Sequence, residues 1–163
     1  MLIRPVRLSL LAAILVALSP GCTAPHADGP SAAEETAVLA PVHQFVDGFN
    51  AGDTARALAA CTNGMSIIDE FPPFEWHGAG AATNWVADYK LDAGKQGITD
   101  GVVTLGKPRH VDIAGNRAYV VAPADYDFKQ RGEPVKESGS LFTFALQKDA
   151  TGWLISGWAW SRN

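Results

Sequence analysis

The segment between Phe45 and Tyr89 narrows the choice of folds more than any other part of this sequence. It contains the end of an amphipathic helix, closed by Phe49-Asn50-Ala51-Gly52-Asp53, then a second short helix and an apolar strand that leads to Asp69. A Pro-rich turn and a third helix complete the segment. A carboxylate at a strand end among aromatic side chains is consistent with three roles: a catalytic base, a ligand contact, or a structural acceptor of hydrogen bonds from nearby backbone amides.

Three helices are predicted ahead of the main sheet. Apolar residues at spacings of three and four predict a helix over residues 37–50, Asp53 caps a second over 54–60, and a third covers 81–91. A short strand is predicted over 65–69, and Pro72-Pro73 stops it because proline has no backbone donor. The residues Trp76-His77-Gly78 are expected to form the turn into the third helix.

From residue 101 onward the pattern changes to β-branched and aromatic residues with regular turn signals. Strands are predicted over 102–113, 118–128, 135–147 and 152–161, as an antiparallel meander. Strand alternation puts Trp158 and Trp160 on one face and Trp153 on the other. Helices followed by such a sheet predict an α+β domain, in which three N-terminal helices pack on a strongly curved antiparallel sheet that forms a cone open at one end.

The first 22 residues have the pattern of an export signal. Arg4 and Arg7 precede the apolar run 8–18, which is shorter than the roughly 20 residues that span a membrane. Cys22 resembles the lipid-accepting cysteine of bacterial lipoproteins, and ordinary cleavage near Ala24 or Ala27 is the alternative. We therefore expect an exported protein, periplasmic, secreted or anchored to a membrane through Cys22, with a flexible tether over 23–36 and one domain over 37–163.

Charge and composition disfavour several classes of partner. Removal of the leader takes away two arginines and no acid, so the remaining domain has 11 basic and 17 acidic side chains, a net charge near −6. With this charge no nucleic-acid partner is expected. His43, His77 and His110 fit no ligand spacing, so neither a metal nor another cofactor is predicted. Cys61 lies in an apolar helical pattern and is predicted to be a small buried residue.

The order of these elements, with the motifs at residues 49–53, 65–69 and 76–78, resembles the nuclear transport factor 2-like superfamily. That superfamily includes ketosteroid isomerase and the SnoaL-like polyketide cyclases, and the resemblance covers the chain from about Val38 to its end. It implies that Asp69 is at the position of the isomerase's proton-shuttling base. It also implies that the oxyanion-hole tyrosine is replaced by Phe45 and the protonated aspartate by Ser140, so steroid isomerisation itself is not expected.

We predict that the cone binds a small, largely apolar or aromatic molecule, with Asp69 as the main polar determinant. The alternatives are a cofactor-free isomerase, dehydratase or cyclase that uses Asp69 as general base, and an interaction module that forms a homodimer. Trp158 and Trp160 would line the pocket in the first two cases and form an outer patch in the third. The predicted ligand-binding residues are Phe45, Phe49, Phe71, Trp76, His77, Trp85, Tyr126, Ser140, Trp158 and Trp160. Glu70 is expected to point away from the cone, opposite Asp69.

Overall fold

The computed structural model describes residues 29–163. The predicted export signal, Cys22 and the first residues of the predicted tether lie outside this range. Among the helices of residues 29–163, none is both long enough and apolar enough to cross a membrane.

Three helices precede the long strands, as predicted. They are α1 (Ala32–Asn50), α2 (Thr54–Ala59) and α3 (Ala81–Gln96). Helix α1 begins five residues earlier than the sequence pattern indicated, so the last part of the predicted tether is helical. The reason is a capping box, in which the Ser31 hydroxyl accepts from the Glu34 amide while the Glu34 carboxylate accepts from the Ser31 amide.

Seven strands form one curved, unclosed sheet in the order β2-β1-β7-β6-β5-β3, and β4 also pairs with β5. The strands are β1 (Cys61–Ile68), β2 (Glu75–Ala79), β3 (Ile98–Leu105), β4 (His110–Ala114), β5 (Arg117–Gln130), β6 (Glu133–Lys148) and β7 (Trp153–Ser161). The meander through β5, β6 and β7 is antiparallel, and β1 joins it by parallel pairing with β7. The predicted α+β cone fold is confirmed.

Two strand predictions were wrong. The long strand expected over 102–113 is divided into β3 and β4, because Pro108 lies in the gap between them. The facing residue of β5, Pro123, accepts a hydrogen bond from the Gly106 amide but has no amide with which to donate one. The turn expected at residues 76–78 is the edge strand β2, which pairs antiparallel with β1 and places His77 opposite Ser66. Its five residues include only one buried position, Trp76, so they show no alternation by which the sequence could reveal a strand.

Strand β7 contains an irregularity that changes which side chains share a face. Leu146 of β6 pairs with Ile155, whereas the neighbouring Ala145 pairs with Gly157, so Ser156 is an extra residue. Trp153 therefore lies on the same face as Trp158, and it packs against the core. The prediction that Trp153 faces the opposite side from Trp158 was wrong, because strict alternation assumes a strand without an inserted residue.

The core lies between the helices and the concave face of the sheet. Helix α1 contributes Val38, Val42 and Phe45, and it packs against β7 and β3. Phe144 of β6 and Ile155 of β7 are fully buried beneath it. Helix α3 packs against β1, β2 and β3, and this arrangement leaves an opening bounded by α1, α3 and the sheet.

Candidate functional site

A cavity opens between α1, α3 and the sheet, and it is walled mainly by aromatic rings. Its empty volume is about 540 Å³, including the open mouth. Nine of its 13 lining residues are aromatic, and the lining comprises Phe45, Val46, Phe49, Asp69, Glu70, Phe71, Trp85, Tyr89, Val103, Tyr126, Phe142, Trp158 and Trp160. The inward position of Trp158 and Trp160 agrees with the pocket interpretation rather than with an outer patch.

Asp69 is the first residue after β1, at the point where the chain turns back toward β2. The backbone turn is closed by hydrogen bonds from the Asp69 amide to the Phe74 carbonyl and from the Phe74 amide to the Phe71 carbonyl. The carboxylate accepts two bonds of 2.8 Å, from the Trp85 indole to Oδ2 and from the Glu70 amide to Oδ1. One of these is the local backbone bond expected of a merely structural aspartate, and the other comes from α3.

Burial raises the pKa of the Asp69 carboxyl, and the bonds from Trp85 and Glu70 only partly offset that effect. Within residues 29–163 no positively charged group contributes to the pKa of Asp69. A raised pKa in an apolar cavity is one of the features by which a candidate general base is recognised. The same carboxylate also offers a negative charge with which a ligand could pair.

Glu70 also lines the cavity, which corrects the prediction that it faces away from the cone. Strand β1 ends at Ile68, so strand alternation does not apply to the two acids that follow it. Burial raises the pKa of Glu70, and the nearby Glu137 carboxylate adds to this effect. Arg162 opposes it through an ion pair of 3.1 Å with Glu70, and the same guanidinium lies 3.5 Å from Glu137.

Tyr89 and Tyr126 form a hydroxyl pair within the cavity. Their oxygens are 2.6 Å apart, and each residue is partly buried. Burial is the largest cause of the raised pKa of both phenols, and the Asp69 charge contributes to each. Gly101 of β3 makes room for this pair, because a Cβ there would lie only 2.9 Å from Cε2 of Tyr126.

Seven of the ten predicted ligand-binding residues line the cavity together with Asp69. Trp76, His77 and Ser140 do not. Trp76 is buried in the core and donates a 2.8 Å bond to Asp88. The His77 imidazole is exposed on β2, 3.2 Å from the Glu75 carboxylate. Ser140 is buried, and its hydroxyl has no hydrogen-bond partner within residues 29–163.

Sequence reasoning missed Tyr89 and Glu70 as members of the site. Tyr89 lies one helical turn beyond Trp85, and that spacing was the available signal, because the two rings stack at 5.6 Å and both face the cavity. Phe142 of β6 is a core residue that also lines the cavity.

The remaining candidate groups lie elsewhere. Over residues 29–163 no three side chains of His, Cys, Asp or Glu are grouped so that they could hold a metal ion. His43, His77 and His110 are all exposed. Cys61 is partly buried beneath α2, and burial raises the pKa of its thiol to about 12, so it remains a protonated thiol at neutral pH.

Comparison by sequence finds no match to any protein-family model or to any curated protein. Comparison by structure finds similar proteins. A ketosteroid isomerase-like protein from Erwinia carotovora is similar with a TM-score of 0.63 and 18% identity, over 81% of this chain and 98% of that one. A nuclear transport factor 2-like superfamily protein from Salmonella enterica has a TM-score of 0.66 and 16% identity, over 78% of this chain and 89% of that one.

A hexachlorocyclohexane dehydrochlorinase from Novosphingobium barchaimii is similar with a TM-score of 0.67 and 10% identity, over 80% of this chain and 87% of that one. At these identities the likeness concerns the fold. The chain therefore has the nuclear transport factor 2-like fold, which the order of its elements predicted. Because one fold hosts many chemistries, the function has to be argued from the cavity.

Proposed function

We propose that this domain binds a small, largely apolar molecule in the aromatic cavity, with Asp69 as the polar group that orients it. The observation that carries the proposal is that nine aromatic side chains and Asp69, a carboxylate with no charged partner among residues 29–163, line the same open cavity. Ligand pockets of about 300–1,000 Å³ are commonly apolar with a few placed polar groups. The lining of this cavity, mostly aromatic with two carboxylates and two tyrosine hydroxyls, has that composition.

Ligand capture tests the binding proposal. The purified protein, analysed by native mass spectrometry, is expected to retain a small molecule or to acquire one from a panel of aromatic compounds. Binding is expected to change the fluorescence of Trp85, Trp158 and Trp160, which line the cavity. Trp158→Leu should remove much of the fluorescence change, whereas the same substitution at Trp153, which does not line the cavity, should leave it. A panel that binds equally well to both variants would contradict the assignment of the cavity.

A second candidate function is a cofactor-free proton transfer with Asp69 as general base. It is favoured by the Tyr89–Tyr126 hydroxyl pair, which offers the cavity a donor where Phe45 has no hydroxyl and the Ser140 hydroxyl lies outside the lining. In this scheme the Asp69 carboxylate removes a proton from a carbon next to a carbonyl, the electron pair moves to the carbonyl oxygen, and a tyrosine hydroxyl stabilises it. Returning the proton to another carbon completes an isomerisation.

The catalytic proposal is tested with small β,γ-unsaturated ketones, whose conversion to conjugated enones is followed by ultraviolet absorbance. Asp69→Asn should reduce the rate by about 10²–10⁴, the usual contribution of a general base. Conversion that is unchanged in Asp69→Asn would remove Asp69 from the chemistry. The dehydrochlorinase of the same fold makes elimination substrates a useful second panel.

We also propose export, with Cys22 as the lipid acceptor, on the leader pattern of residues 1–22. Fractionation of cells should find the full chain in the membrane fraction, and Cys22→Ala should release it to the soluble exported fraction.

Pairing of two copies is a further prediction, and sedimentation of the purified protein measures it.

A further inference from the structure

The charged side chains that line the cavity are both acidic. Asp69 and Glu70 line it, and among the lining residues within the described range none is a lysine, arginine or histidine. Arg162, which is not part of the lining, pairs with Glu70 and with Glu137. The two lining carboxylates and the group formed by Glu137 and Arg162 together hold three acids against one guanidinium, which leaves this side of the cavity with a net negative charge.

Asp69 is the lining carboxylate that has no cationic partner in the part of the chain that the structure describes. Both of its hydrogen-bond donors, the Trp85 indole and the Glu70 amide, are neutral. Glu70 by contrast has Arg162 at 3.1 Å. A partly buried carboxylate that receives only neutral donors is stabilised further by a positive charge brought to it in an apolar site.

The walls beside Asp69 are of the kind that attracts cations. Trp85 donates to Asp69, and its ring stacks on Tyr89 at a centroid distance of 5.6 Å and meets Trp158 edge-on at 4.9 Å. The faces of indole and phenol rings carry negative charge density and bind ammonium groups that lie within about 6 Å of the ring centroid. A carboxylate and several aromatic rings thus border the same space.

We propose that the ligand is a small organic cation, a protonated or quaternary amine with an apolar body, whose ammonium group is held by Asp69 and by the surrounding indole and phenol rings. This inference rests on the proposed binding function and deepens it by naming the ligand class. Glu70 contributes attraction at the mouth, and Arg162 limits that attraction by neutralising part of it.

The test compares two probes of the same shape, phenyltrimethylammonium and tert-butylbenzene, which differ in charge. Tryptophan fluorescence titration of the full-length protein measures both affinities. The cation is expected to bind at least about tenfold more tightly than its neutral counterpart, the ratio that about 1.4 kcal/mol of charge-dependent attraction gives. Asp69→Asn should abolish most of this preference, and Glu75→Gln, which removes an exposed carboxylate that does not line the cavity, should preserve it.

Salt provides a measurement that needs no variant. Increasing sodium chloride should weaken binding of the cation and leave binding of tert-butylbenzene unchanged. Equal affinity for the two probes, or tighter binding of the neutral one, would overturn the cation assignment while supporting an apolar binding cavity. Failure of both probes to bind would count against the cation assignment and the binding proposal together. A cation preference that survives Asp69→Asn and Glu70→Gln would overturn the role of these carboxylates.

Discussion

The hydroxyl pair of Tyr89 and Tyr126 joins helix α3 to strand β5 inside the cavity, and a single substitution tests its value. Tyr126→Phe leaves the ring in place and removes one of two oxygens that are 2.6 Å apart. The partly buried Tyr89 hydroxyl then loses its partner, so we expect the free energy of unfolding to fall by about 1–3 kcal/mol. Urea denaturation followed by fluorescence measures the change.

Tyr119→Phe is the matched control for Tyr126→Phe, because Tyr119 lies on the same strand with its side chain exposed. Loss of the exposed Tyr119 hydroxyl should change the free energy of unfolding by no more than about 0.5 kcal/mol. Equal effects of the two substitutions would mean that the hydroxyl pair contributes nothing beyond the loss of an ordinary surface group.

Some members of the site could be predicted one residue at a time and others could not. Asp69 and Trp85 were found because a carboxylate after an apolar strand and an aromatic residue on a helix stripe are local signals. The pairing of Tyr89 with Tyr126 joins positions 37 apart in the chain, so local sequence does not encode it. The same applies to Glu70, whose direction depends on where β1 stops pairing.

Asn50 connects the end of helix α1 to strand β3 across the chain. Its side-chain amide donates to the Val103 carbonyl and its oxygen accepts from the Val103 amide, both at 2.8 Å. Strand β3 is at the edge of the sheet, so these two bonds satisfy backbone groups that no further strand would reach. The side chain thereby holds the strand that carries both Val103 of the cavity wall and Gly101.

Asn50→Ala should lower the free energy of unfolding by about 1–3 kcal/mol, because it leaves partly buried donor and acceptor groups of Val103 unpaired. Urea denaturation measures the loss. Asn50→Asp keeps the acceptor for the Val103 amide and sets a carboxylate against the Val103 carbonyl, so it should not restore the stability. Hydrogen exchange should show faster exchange at Val103 in both variants, and unchanged exchange there would contradict this role.

Helix α1 owes its early start to the capping box at Ser31. Ser31→Ala removes the hydroxyl that accepts from the Glu34 amide at 3.3 Å, and it should cost about 0.5–2 kcal/mol. The loss should be local, with faster amide hydrogen exchange over residues 34–37 and little change around Phe45. Ser138→Ala, on an exposed position of β6, is a control of the same chemistry outside a helix start.

Elements were predictable where one period ran through them unbroken. Helix α1 follows such a period and was found, apart from its start. Strands β5 and β6 were found from their β-branched and aromatic residues between turn signals, although their pairing shifts register between Ala124 and Tyr126. The edge strand β2 and the irregularity at Ser156 were not, because each depends on pairing with a neighbour rather than on a repeat within the segment. At the irregularity Gly157 lies against the Ser66 carbonyl, where a Cβ would be 2.9 Å away, and that closeness comes from parallel pairing with β1.

In the molecule as a whole the cavity and the core share one aromatic cluster. Phe45 contacts Trp85, Phe142 and Trp158 at centroid distances of 6.0–6.3 Å, and all four residues are both buried and part of the cavity lining. A ligand that fills the cavity adds contacts to this cluster. Binding should therefore stabilise the entire domain, by about 2.7 kcal/mol at a ligand concentration one hundred times its dissociation constant.

The buried charge of Asp69 should make global stability depend on pH with a defined sign. Its folded pKa lies above the ordinary value of 3.8, so the native state holds the proton more tightly than the unfolded chain. The contribution of Asp69 to the free energy of unfolding is then greatest below pH 3.8, falls as pH rises through the raised pKa, and stays constant above it. Asp69→Asn should consequently be more stable than the natural protein at neutral pH, by roughly 0.5–2 kcal/mol, with the difference shrinking as pH falls through that window.

Urea denaturation across pH measures this difference in the free energy of unfolding. Asp149→Asn is the control of opposite sign, because hydrogen bonds from Thr151 lower the pKa of Asp149. A stability difference for Asp69→Asn that is negative at neutral pH would show that the two hydrogen bonds to the carboxylate outweigh the cost of burying its charge.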